Sequence, residues 1–291
     1  SIALIISSSH YLYLLAWQAF FYKNFFIICR QFGQNAFLFL PYSLNMAYEA
    51  FYSVRSSEIG SDYRLTKTGA AFFFQECAAE YFTSKGLAGY DMARHSLTWL
   101  ISSVETRFSG QMPFWRERVK VRVWIRSVSA ARMYVDFIQQ DEKGKIFARG
   151  EADYLVAEIP SHRPCKISEY SEAFDIEKMD ALAGYDKIFE ICFIAKNGEY
   201  TQKVSRKVRF DDIDFNSHLT NVKYLPRAVE ALPDDFLISR KLAGYSIKFK
   251  REAKLGDTVD SIARVYCDCA LHELSCGGKT IAEAATIWER I

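Results

Sequence analysis

Twice in this chain an apolar helix pattern is followed by a run of alternating strand patterns, and that order restricts the fold more than anything else in the sequence. In the first copy Thr66 or Thr68 can cap a helix whose apolar face runs through Phe73, Phe74, Cys77, Ala78, Tyr81 and Phe82, with Gly86 past its end. In "RERVKVRVWIRS", Val119, Val121, Val123 and Ile125 alternate with Arg118, Lys120, Arg122 and Trp124, the period-2 mark of a half-buried strand. A hairpin follows, with its turn in Asp141–Gly144. In the second copy Leu219, Val222, Leu225, Val229 and Leu232 give a helical stripe, followed by strands at "SIKFKREA", "TVDSIARVYCDCALHEL" and "KTIAEAATIWERI". Pro226 falls inside that stripe, so the helix either bends there or starts later.

Two halves of this kind predict an α+β fold in which each long helix is wrapped by a curved antiparallel sheet, the two pairing as a single-chain pseudo-dimer. The repeat rests on element order, because identity between the copies is low. The Pro-containing stretch "IPSHRPCKISEYSEAFD" reads as the linker, which places the halves at 46–165 and 166–291. Residues 1–45 stand apart. Their first 22 residues carry no Asp, Glu, Lys or Arg, yet no positive charge precedes the apolar run as a signal peptide requires. They read as an extension from a misplaced start site, with a membrane anchor as the alternative.

A net charge of +2 gives no bulk case for a nucleic-acid partner. Seven scattered cysteines without a framework fit reduced thiols and a cytoplasmic protein. Cys267, Cys269, His272 and Cys276 could suggest zinc, but C-x-C is tighter than the usual spacing and the segment alternates as a strand, so no metal is expected.

The chemistry concentrates in "FDDIDFNSHLTNVKYL", residues 210–225. Asp214, Asn216, His218 and Asn221 stand where a loop enters a helix, whose unpaired N–H groups favour developing negative charge. His218 can move a proton near neutral pH and Asn216 can donate and accept. The same residue types are good N-caps, so capping and catalysis both remain open at this point. Glu252, among Lys248, Lys250, Arg251 and Lys254, is either a solvated strand end or a carboxylate kept ionised to activate water.

"DDIDFNSHLTNVKYL" followed by "IKFKREA" resembles the acyl-acyl carrier protein (acyl-ACP) thioesterase family. "SLTWLISSVETRFSGQMPFWRERVKVRVWIRS" and "GKIFARGEADYLVAEIPSHRPCKI" are similar to that family's N-terminal half, so the resemblance runs from about residue 56 to the end. It implies two tandem hot-dog domains, hydrolysis of a fatty acyl thioester on the carrier protein's phosphopantetheine arm, and no cofactor. It also implies catalytic positions at Asp214, Asn216, His218 and Glu252. Many plant members carry a Cys directly after that Glu; here Ala253 stands there, which excludes a covalent mechanism through that thiol.

An acyl chain needs an apolar tunnel, for which the first half is the natural supplier, with Phe73, Phe74 and Trp99 as candidate substrate-binding residues and Asn221 a further one. An acidic carrier protein calls for a basic face. Candidates are Arg116, Arg118, Lys120 and Arg122, or Lys223, Arg227, Arg240, Lys241, Lys248 and Lys250. A homodimer is a further partner to test for. Glu76, on the first helix, is a decoy acid. The competing readings are an acyl-CoA thioesterase, a hot-dog enoyl-thioester hydratase and a non-catalytic acyl-binding module.

Overall fold

The computed structural model describes residues 47–159, 161, 163–167 and 173–291. The expectations for residues 1–45 lie outside the described residues. Among the described residues no helix is long and apolar enough to cross a membrane.

The first half runs β1 (Tyr48–Ser53), α1 (Lys67–Ser84), α2 (Gly89–Ala93), β2 (Leu97–Phe108), β3 (Arg118–Val128), β4 (Met133–Gln140) and β5 (Ile146–Glu158). The second runs α3 (Ile188–Ile191), β6 (Glu199–Tyr200), β7 (Val204–Lys207), α4 (Tyr224–Val229), α5 (Asp234–Ile238), β8 (Arg240–Phe249), β9 (Thr258–Tyr266), β10 (Cys269–Cys276) and β11 (Lys279–Arg290). All strands join one antiparallel sheet in the order β1-β3-β4-β5-β2-β8-β11-β10-β9-β6, with β7 also on β9. The seam between the halves is the β2–β8 pair, where Val104 faces Ile247 and Thr106 faces Tyr245.

Thr66 caps α1, its hydroxyl accepting the Gly69 amide at 3.0 Å, and Gly86 at φ +67° ends it, as the sequence predicts. The helix buries Phe73, Phe74, Cys77, Ala78, Tyr81 and Phe82 against the sheet. Phe73 stacks on Tyr52 (5.2 Å between rings) and Phe74 on Phe137 (4.0 Å). Each such ring contributes roughly 1.5–3 kcal/mol by leaving water. Gly150 makes the Phe74–Phe137 stack possible, since a Cβ there would fall 2.5 Å from the Phe137 ring. The Asp141–Gly144 turn forms as expected: Gly144 sits at φ +77° and the Asp141 carboxylate accepts the amides of Lys143 and Lys145.

Two expectations are corrected. Trp124, assigned to the polar face of its strand, is fully buried. The segment after the linker crosses the sheet face opposite α1: Met179 O accepts the Trp124 indole N–H at 2.8 Å, and Asp136 accepts the Ala181 amide at 2.8 Å. The second half's helix is shorter than its apolar stripe suggests. A 3₁₀ turn at Asn221–Lys223 leads into α4, which starts at Tyr224. Pro226 therefore lies in the first helical turn, where its missing N–H costs nothing.

Candidate active site

The loop before α4 is built by its own side chains. Asp212 accepts the Arg209 amide at 3.1 Å and pairs with Arg227 at 2.6 Å, anchoring the loop's start to α4. Asp214 accepts two backbone amides on Oδ1, Asn216 at 2.8 Å and His218 at 3.4 Å, and donates its own amide to His218 O at 2.9 Å. This closes a tight turn that puts Ser217 at φ +63°. Leu219 then donates to Ala253 O at 2.8 Å, and His218 forms a bridge with Lys254.

That pairing brings the imidazole to the carboxylate beyond β8: His218 Nε2 lies 3.1 Å from Glu252 Oε2. Their side chains are 19% and 33% exposed, so both remain accessible to water. Tyr224 stands behind them, its hydroxyl donating to Arg251 O at 3.4 Å and its ring edge-on to Phe249 at 5.1 Å. Burial pushes the Tyr224 phenol well above its ordinary range, and the charges of Glu252 and Asp214 add to this, so it stays neutral. Ala253 is fully buried and carries no nucleophile.

Asp214, Asn216, His218 and Glu252 thus lie within one loop-and-strand-end unit. The helix terminus expected to receive developing charge does not coincide with them. The 3₁₀ turn separates His218 from α4, and a six-residue helix has only a weak dipole to offer.

An apolar cleft opens between the halves. It is lined by Ala71, Phe74 and Gln75 of α1, by Ile101 and Val104 of β2, by Tyr245, Ile247 and Phe249 of β8, and by Asn221, Val222 and Leu225. Phe74 and Asn221 were expected here. Phe73 and Trp99 do not line the cleft: Phe73 faces Tyr52, while Trp99 stacks on Phe82 at 4.9 Å and donates to Leu87 O. Their place is taken by β2 and β8 side chains that the sequence reading missed. Gln75 is the polar α1 residue in the cleft, whereas Glu76 is exposed outside it.

Much of the basic surface is already paired. Lys120 and Arg122 both meet Glu49 at 2.8 Å, Arg240 pairs with Asp268, Lys250 with Glu283, and Arg227 is buried, which removes it from any docking face. In the Cys267–Cys276 hairpin, Cys267 sits in the turn at φ +53° while His272 is buried on Thr286. Among the described residues no three His, Cys, Asp or Glu side chains group as a metal site requires.

The loop that carries Asp214 and His218 has a structural twin in the first half. There the Arg55 amide donates to Glu58, as Arg209 does to Asp212. Ile59 bridges Leu65 as Ile213 bridges Leu219, and Leu65 donates to Pro113 O as Leu219 does to Ala253 O. Tyr63 at φ +58° matches Ser217. The register pairs Gly60 with Asp214, Asp62 with Asn216, Arg64 with His218, Lys67 with Asn221 and Met112 with Glu252. The signal was present in sequence as "RSSEIGSDYRLT" against "RFDDIDFNSHLT", just ahead of the helices from which the repeat was drawn.

Family models described as the acyl-ACP thioesterase N-terminal domain and C-terminal domain match residues 45–174 and 195–290. The chain is 24% identical over 265 residues to a chloroplastic dodecanoyl-[acyl-carrier-protein] hydrolase of Cinnamomum camphora, covering 84% of this chain and 68% of that protein. It is 24% identical over 225 residues to a chloroplastic palmitoyl-acyl carrier protein thioesterase of Gossypium hirsutum, covering 74% of this chain and 54% of that one. Among solved structures it is similar to an acyl-ACP thioesterase from Bacteroides thetaiotaomicron VPI-5482 (TM-score 0.73, 15% identity, 84% of this chain and 98% of that chain). It is also similar to the 12:0-ACP thioesterase from Umbellularia californica (TM-score 0.70, 20% identity, 89% of this chain and 100% of that chain). These likenesses show the fold, an α+β tandem hot-dog.

Proposed function

We propose that this chain, which belongs to the acyl-ACP thioesterase family, hydrolyses the thioester of a fatty acyl chain on the phosphopantetheine arm of an acyl carrier protein and releases the free fatty acid. The observation that carries the reading is the 3.1 Å contact between His218 Nε2 and Glu252 Oε2, with Ala253 beside it. Asn221 and Phe249 of the apolar cleft stand three residues from His218 and Glu252 respectively.

Glu252 takes a proton from a water molecule, and the oxygen of that water attacks the thioester carbonyl. The tetrahedral intermediate then collapses, the C–S bond breaks and the thiolate leaves. It receives through His218 the proton that Glu252 took from the water, which returns both side chains to their starting state. Asp214 holds the backbone of Asn216 and His218, and the Asn216 side chain orients the thioester carbonyl. The half at 166–291 supplies the reacting groups, and the half at 46–165 supplies one wall of the acyl cleft. The experiment is to offer saturated and enoyl thioesters on carrier protein and on CoA. Thiol release from saturated acyl carrier protein is the expected outcome. Water addition to the enoyl substrate without thiol release identifies a hydratase, and preference for CoA identifies the acyl-CoA reading.

A further inference from the structure

The tandem fold places two related loops at opposite ends of the central β2–β8 pair, with the apolar cleft between them. The β2–β8 register fixes which end is which. Phe249 lies at the end that leads to Glu252, and Ile247 faces Val104 in the middle. Tyr245 faces Thr106 toward the first-half loop. From Phe249 to Tyr245 the strand advances about 13 Å.

Beyond Tyr245 the way is filled. The Phe108 ring lies 6.1 Å from that of Tyr245, and Lys67 Nζ sits over the Phe108 ring at 4.3 Å. Phe108 and Tyr245 are 8% and 3% exposed. Further out, Arg64, the counterpart of His218, donates to Met112 O at 2.8 Å and lies over the Phe114 ring at 5.6 Å. Met112, the counterpart of Glu252, is buried. Where the catalytic end presents Asn221 to the cleft, this end has Lys67.

Lys67 is a costly residue at that place. It is the first residue of α1, where the helix dipole disfavours a cation, and burial pulls its amine down to about 8. Helix stability therefore does not explain it.

We infer that the Lys67–Phe108–Tyr245 stack is the far wall of the acyl cleft and sets the longest acyl chain the protein accepts, an inference that rests on the thioesterase reading above. The first-half loop is a shut copy of the catalytic loop: its reacting groups are replaced, and Lys67 of α1, Phe108 of β2 and Tyr245 of β8 fill the path an acyl chain would follow through the seam.

The test uses the full chain and the variants Phe108→Ala, Phe108→Leu and Lys67→Ala, each given saturated acyl carrier proteins of increasing chain length with thiol release as readout. A pocket discriminates one methylene by roughly tenfold or more. The expected result is that the ratio of kcat/KM for chains just beyond the wild-type limit to that for shorter chains rises about tenfold. Phe108→Leu removes the ring while keeping an apolar side chain, costs less packing than Phe108→Ala, and carries the test if Phe108→Ala does not fold. Folded variants with the wild-type length profile, or with a profile shifted to shorter chains, overturn the inference. A wild type that releases thiol from no chain length overturns the thioesterase reading on which it rests.

Discussion

Asp214 and His218 are joined through the backbone: the Asp214 carboxylate accepts the His218 amide, and the His218 carbonyl accepts the Asp214 amide. The imidazole is thereby fixed from behind while its Nε2 faces Glu252. Asp214 is a positioning residue in this account. Asp214→Ala is expected to lower kcat about 10- to 100-fold with KM nearly unchanged. Asp214→Asn, which keeps an oxygen acceptor, recovers most of the loss. Steady-state kinetics of the two variants check this, and equal losses in both contradict it.

With Ala253 in the position where many plant relatives by resemblance carry Cys, no covalent acyl-enzyme forms in the proposed reaction. Rapid-mixing kinetics on acyl carrier protein are expected to show thiol release without a burst phase. A burst equal to the enzyme concentration points to a nucleophile elsewhere.

The Asp212–Arg227 pair holds the loop to α4 with both side chains largely buried, at 13% and 9% exposure. Removing Arg227 leaves Asp212 with the more distant and more exposed Lys223, at 3.8 Å. Arg227→Ala is expected to cost about 3 kcal/mol in urea unfolding, and Asp212→Ala/Arg227→Ala less than the sum of its single variants.

His272 is buried with Nε2 on the Thr286 hydroxyl at 2.8 Å, and burial depresses its pKa to about 4. A depressed histidine is neutral in both states above its unfolded pKa of about 6.5, so its cost is absent there. As pH falls from about 6.5 toward 4 the unfolded state takes up the proton first and the fold loses stability. Between pH 7 and pH 4.5 this group accounts for a loss of about 2–3 kcal/mol. The His272→Gln variant is expected to lose that much less over the same interval, measured by urea unfolding at both pH values.

Local patterns in the sequence specified local structure well. Thr66, Gly86 and the Asp141 turn act through neighbours a few residues away, and Asp214, His218 and Glu252, singled out from residue chemistry and the family resemblance, lie together in the fold. What the sequence did not disclose depends on distant pairing. The cleft is lined by Val104 and Ile247 because β2 meets β8 across the halves, a register that no local period encodes. Trp124 is buried because an aperiodic segment lies over it. The second helix shortens at Asn221–Lys223, where apolar spacing alone does not separate 3₁₀ from α geometry.

The most direct test of the account is kcat on an accepted acyl carrier protein for the wild type, Glu252→Gln and His218→Ala, with folding checked by circular dichroism. The wild type is expected to release free fatty acid, and each variant to lose kcat by about 10²–10⁴-fold. Folded variants that turn over at the wild-type rate contradict the assignment of Glu252 and His218 to the reacting water.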